Sequence, residues 1–134
     1  MIVIDTSVVV AAFASWHESH ERALAALGRQ PRLVGQVALE AYSVLTRLPA
    51  PHRAAPSVVS GFLTANFKEP VLVLSPEAYG DLISELAQAG IAGGAAHDAL
   101  VAATARQAGA TLLTLDQRAR SIYDRLGISA EYIR

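Results

Sequence analysis

The sequence predicts a three-layer α/β/α domain: a central, mostly parallel sheet of 4–5 strands with helices on both faces. Three observations carry this. Short β-branched runs alternate with helix-like stretches along the whole chain. The intervening segments are long enough for crossover connections, which parallel strands require. Pro and most Gly fall at the element boundaries, Gly61 and Gly80 excepted.

Ile2–Ile4 is a β-branched run read as a buried strand. Thr6 and Ser7 are read as caps for a helix running to Ala14. Ser19–Gly28 has helical periodicity, with Glu21 in its first turn and Gly28 at its end. Arg32–Val34 is a second, weak strand. Gln36–Leu48 is a strong helix stopped before Pro49 and Pro51, and 49–56 is a loop. Ser57–Asn66 reads as helix and Val71–Leu74 as a third strand. Pro76 then starts a helix to about Ala89, with Gly90 behind it. A small-residue loop, Gly90–Ala96, precedes a helix over Asp98–Gln107 that Gly109 stops. Thr111–Leu115 is a fourth strand, Gln117–Leu126 a short helix and Ala130–Ile133 a fifth strand.

At 134 residues the chain reads as one domain, 1–134, large enough to bury about two-thirds of its unfolded surface. It is 52% hydrophobic with a mean hydropathy of +0.33, yet no apolar run reaches the roughly 20 residues of a membrane span. A net charge of −1 and a pI near 6.4 leave no global basic footprint, so any nucleic-acid contact must be local. The absence of cysteine excludes disulfides and thiolate metal sites, and fits a reducing cytoplasm. Val8–Ser15 has a faint signal-peptide look, but no Lys or Arg precedes it and Asp5 stands where the positive segment belongs.

Four carboxylates stand out among the twelve. Asp5 ends the first strand, between two apolar runs where an uncompensated charge is costly. Glu40 shares a helical stripe with Gln36, Ser43 and Arg47. Asp98 opens the helix HDALVAATA, and Asp116 follows the strand TLLTL. Each has an ordinary reading: Asp at a helix start is a good N-cap, favoured by the helix dipole, and Glu40 suits a solvated face. Jointly they suggest more. In a parallel sheet the ligand crevice lies beyond the carboxyl ends of the strands, where the strand order switches, and Asp5 and Asp116 both end strands. Like charges gathered there raise one another's pKa unless a cation neutralises them. An all-oxygen donor set suits Mg²⁺ or Mn²⁺, and a carboxylate-held metal can serve phosphodiester hydrolysis.

With these residues in view, the chain resembles the PIN-domain ribonucleases of the VapC toxin type. The stretches VIDTSVVVAAF, LEAYSVLTRLP and AGGAAHDALVAATARQAGATLLTLDQRA carry the likeness, and 49–85 carries little of it. The resemblance implies a PIN-like fold and a metal-dependent endoribonuclease, the toxin of a toxin–antitoxin pair, acting on RNA in the cytoplasm. It implies Asp5, Glu40, Asp98 and Asp116 as the catalytic, metal-holding set for Mg²⁺ or Mn²⁺. Thr6, Ser7 and Thr114 match its supporting hydroxyls. It also implies a cognate antitoxin and a homodimer.

Other residues are read more plainly. His17 and His20 are taken as surface residues rather than a metal pair, and Trp16 as a packing residue. His97 is read as exposed, with an RNA contact as the alternative. Arg118 and Arg120 follow Asp116 and either meet RNA phosphates or form a solvated face. Gly93-Gly94 belongs to no dinucleotide or P-loop motif. Three other functions fit the residues less well. A phospho-receiver needs an acceptor Asp after its third strand and a suitable Lys, whereas here Leu74-Ser75 occupies the first place and Lys68 is the sole lysine. A non-catalytic PIN-like binding module would not need the complete acidic set. A haloacid-type phosphatase would need Asp rather than Ser7.

Overall fold

The computed structural model describes residues 1–134. Its strands are β1 (Ile2–Ile4), β2 (Arg32–Leu33), β3 (Thr111–Thr114) and β4 (Ala130–Tyr132). Its helices are α1 (Thr6–Phe13), α2 (His20–Leu27), α3 (Gly35–Thr46), α4 (Pro56–Asn66), α5 (Ala78–Ala89), α6 (Ala95–Gln107) and α7 (Gln117–Arg125). The four strands are all parallel, in the order β2-β1-β3-β4. Val3 pairs with Arg32 on one side and with Leu112 on the other.

The core follows from composition. Val3, Ile4, Leu112 and Leu113 of the two central strands are fully buried, and α1 covers them with Val8, Val9, Ala11 and Ala12. The middle of α6 is rich in alanine and well buried: Ala99, Val101, Ala102, Ala103 and Ala105 all lie in the core. From β1 the chain leaves toward β2 through α1 and α2, and from β3 it leaves the opposite way toward β4 through α7. The strand order therefore reverses between β1 and β3.

Three expectations are corrected here. Val71–Leu74 is no strand: it makes a single bridge, Val34 with Leu72, through Gly35 N–H to Leu72 C=O at 2.9 Å and Leu72 N–H to Leu33 C=O at 2.8 Å. Its would-be partner β2 is only two residues long, because Val34 already begins α3. Beyond the bridge the Gln107 side chain takes over, receiving Ser75 N–H at 2.9 Å and donating to Val73 C=O at 3.2 Å. The strand that Asp116 follows is thus the third, not the fourth. Second, α1 is capped by Asp5 rather than by Thr6 or Ser7, since Asp5 has extended backbone and its carboxylate accepts from Val8 N–H. Third, Trp16 is not packed inside. It is half exposed and stacks on His52, with ring centroids 4.2 Å apart.

Candidate active site

Where the strand order reverses, a pocket of about 190 Å³ opens beyond the ends of β1 and β3. Asp5, Glu40, Asp98 and Asp116 all line it, delivered by four separate parts of the chain: the end of β1, α3, α6 and the start of α7. Thr6, Ser7 and Tyr123 complete its polar wall.

Asp5 is buried and held on both oxygens. Ser7 Oγ donates to Oδ1 and Tyr123 Oη donates to Oδ2 at 3.0 Å, while Val8 N–H caps Oδ1 at 3.4 Å. Burial pushes the Asp5 carboxyl up from its usual range, and the hydroxyls of Ser7, Thr114 and Tyr123 pull it back. Ser7 is itself anchored, because its Oγ accepts Leu115 N–H at 3.0 Å. One serine therefore ties the exits of β1 and β3 together. Thr114 is fully buried and accepts Asp116 N–H at 2.9 Å.

Asp116 caps α7 through one oxygen only: Oδ1 takes Arg118 N–H at 2.9 Å and Ala119 N–H at 3.3 Å. Capping and a place in the pocket are compatible for Asp5 and Asp116, and the structure shows both. Asp98 is different. The helix α6 begins three residues before it, so Asp98 lies in the first turn and caps nothing. Its carboxyl is pushed up to about 6, first by burial, then by the charges of Glu40, Asp116 and Asp5, with His97 acting in the opposite sense. That mutual repulsion is the electrostatic signature of a cluster short of positive charge.

The donor set fits a hard cation: oxygen only, with excess negative charge and hydroxyl support. It is not a finished coordination shell, since no three of these groups stand close enough to hold an ion as they are. His17 and His20 are engaged elsewhere, His17 Nδ1 with Ser19 N–H and His20 Nδ1 with Ala11 C=O. Arg118 and Arg120 do not line the pocket.

Sequence reasoning missed Tyr123. It reads as one more apolar position of a short amphipathic helix, and nothing local marks its hydroxyl. Only the packing of α7 against α6, β3 and β4 carries it to Asp5. Burial and the neighbouring charges of Asp5 and Asp98 push its hydroxyl pKa far up, so it donates as a neutral phenol.

Residues 2–125 match the PIN domain family. The chain belongs to that family. Among PIN relatives, Ribonuclease VapC40 of Mycobacterium tuberculosis is 49% identical over 133 residues, covering 99% of both chains. Ribonuclease VapC27 of the same species is 40% identical over 128 residues, 95% of this chain and 93% of that one. Among solved structures, FitAcB from Neisseria gonorrhoeae matches 97% of this chain and 96% of its own, with a TM-score of 0.70 at 22% identity. VapBC2 from Rickettsia felis, bound to a promoter DNA fragment, matches with a TM-score of 0.68 at 20% identity over 100% of both chains. At those identities the two structures support the PIN fold alone.

Proposed function

We propose that this PIN domain, spanning 1–134, is a metal-dependent endoribonuclease toxin that hydrolyses phosphodiester bonds in cytoplasmic RNA and is neutralised by a cognate antitoxin. The observation that carries the reading is the convergence of Asp5, Glu40, Asp98 and Asp116, from four elements, on one pocket at the switch in strand order. Near end-to-end identity to VapC ribonucleases supports the substrate class.

Asp5, Asp98 and Asp116, with Glu40, would hold Mg²⁺ or Mn²⁺. Bound there, the cation would activate water and neutralise the charge that develops on the phosphate. The chain's own part is to fix the ligands. Tyr123 and Ser7 lock the Asp5 carboxylate, and the cap bonds to Oδ1 leave Asp116 Oδ2 without a protein donor. Asp98 is the least constrained of the aspartates, with no hydrogen-bond donor of its own, and is free to close on an ion. No helix is long and apolar enough to cross a membrane. A homodimer is part of the same reading, and nine large apolar side chains at the surface, Leu39, Val73 and Ile83 among them, leave area for it and for an antitoxin.

The test is cleavage of cellular RNA by the purified protein. We expect cleavage in Mg²⁺ or Mn²⁺, none in EDTA, and none by Asp5→Asn. Cleavage that survives EDTA and Asp5→Asn together would refute the metal mechanism.

A further inference from the structure

The acidic pocket is not the whole site. A wider hollow of about 630 Å³ adjoins it and shares Glu40, Asp98 and Asp116 with it. The added wall is the outer stripe of α3, with Gln36, Leu39, Ser43 and Arg47, faced by His97 at the start of α6. Gln36 Nε2 and His97 Nδ1 approach to 3.4 Å and join the two walls.

Arg47 is the sole Arg or Lys lining either hollow. It is exposed, and it makes neither of the two ion pairs in the structure, Arg29–Glu131 and Arg106–Glu85. Its one hydrogen bond, from Nη1 to Ser43 Oγ at 3.2 Å, lays the guanidinium back along α3 toward Glu40. Seven residues of helix put Arg47 roughly 10 Å from Glu40 along the axis. Arg118 and Arg120, the cations the sequence suggested, line neither hollow.

A polyanion approaching four carboxylates on a chain of net charge −1 needs a local cation beside the reaction centre. A guanidinium with free N–H groups meets that need, because its fork matches phosphate oxygens. We propose that the α3 stripe from Gln36 to Arg47 is the track for single-stranded RNA, with Arg47 gripping a phosphate that flanks the scissile bond. Leu39, 69% exposed at the same wall, offers an apolar surface to a base. This inference rests on the ribonuclease reading, and its test separates the two.

The probe is a short fluorescein-labelled single-stranded RNA of mixed sequence, bound in EDTA and read by anisotropy across a salt series. Arg47→Ala should weaken binding at low salt about three- to tenfold and reduce the slope of log affinity against log salt by about 0.7, the share of one single-strand phosphate. Arg47→Lys should keep the slope and recover part of the affinity. Arg118→Ala and Arg120→Ala should bind as wild type does. An unchanged slope in Arg47→Ala, a loss that follows Arg118 or Arg120 instead, or a wild type without salt-dependent binding overturns the track. Parallel cleavage of cellular RNA in Mg²⁺ judges the other reading. Wild type that cleaves while Arg47 is indifferent refutes the track alone. Arg47-dependent binding without cleavage refutes the ribonuclease alone.

Discussion

Tyr123, on the last helix, donates its hydroxyl to Oδ2 of Asp5, at the end of the first strand, across 3.0 Å. The two residues are 118 positions apart, and both are buried. The bond closes the fold on itself at the point where the pocket begins. It also means that α7 contributes twice: Asp116 at its cap and Tyr123 two turns on.

Tyr123→Phe keeps the ring and removes only this bond. Asp5 Oδ2 is then left buried without a donor, which should cost about 1–3 kcal/mol of stability. Urea unfolding at neutral pH reads this directly. Because Asp5 loses its orientation, metal affinity should fall as well, by about tenfold, the lower end for supporting residues.

Ser7→Ala should be worse than its size suggests. The hydroxyl donates to Asp5 and accepts from Leu115 N–H, so its loss takes one of three donors from a buried carboxylate and leaves a backbone donor unpaired at once. We expect a loss of about 2–3 kcal/mol, and Ser7→Thr should recover part of it. Thermal melts of the three proteins check this.

Asp98→Asn should stabilise the metal-free protein. Asp98 caps nothing, so the change sacrifices only a first-turn dipole interaction while relieving the repulsion from Glu40, Asp116 and Asp5. Melts in EDTA at neutral pH and low salt should show the variant ahead by about 1 kcal/mol, after the discount for solvent screening at a half-buried group. In excess Mg²⁺ that lead should shrink or reverse, because wild type gains more from binding than the variant does.

The same carboxyl sets a pH dependence. Its pKa is about 6 in the folded protein against an ordinary 3.8, so between those values the native state binds more protons than the unfolded chain. The contribution is full below about pH 4 and is lost as pH rises through about 6. Metal-free wild type should therefore lose stability from this group over that window, by about 1 kcal/mol once screened. Asp98→Asn should lack that part of the slope. Chemical denaturation at several pH values in EDTA measures it.

Much of this was legible in the residues. The alternation of β-branched runs with helical periods defines a parallel sheet, and Asp5 and Asp116 stand out because charge at the end of an apolar strand has to be compensated. What escaped was what depends on tertiary packing. Val71–Leu74 has strand composition, but the ladder stops at Leu72 because its neighbour β2 is short and Gln107 claims the next polar groups. The residues alone leave the α1 cap open among Asp5, Thr6 and Ser7, since the three stand in a row and all cap well. The backbone gives the role to Asp5 and turns Ser7 into its support. Tyr123 could not be read at all, because its partner lies at the far end of the chain. Arg47 was visible only as one residue of a stripe, and the hollow beside α3 gives that stripe a direction.

On the proposed function, the carboxylates of Asp5, Glu40, Asp98 and Asp116 act together as one cation site. Titration of Mn²⁺ into the purified protein, followed by loss of the free-ion electron paramagnetic resonance signal, tests it most directly. Wild type should bind saturably, and Asp98→Asn and Asp116→Asn should each weaken binding tenfold or more, in step with loss of RNA cleavage. Mn²⁺ binding of equal affinity in wild type and both variants would contradict it.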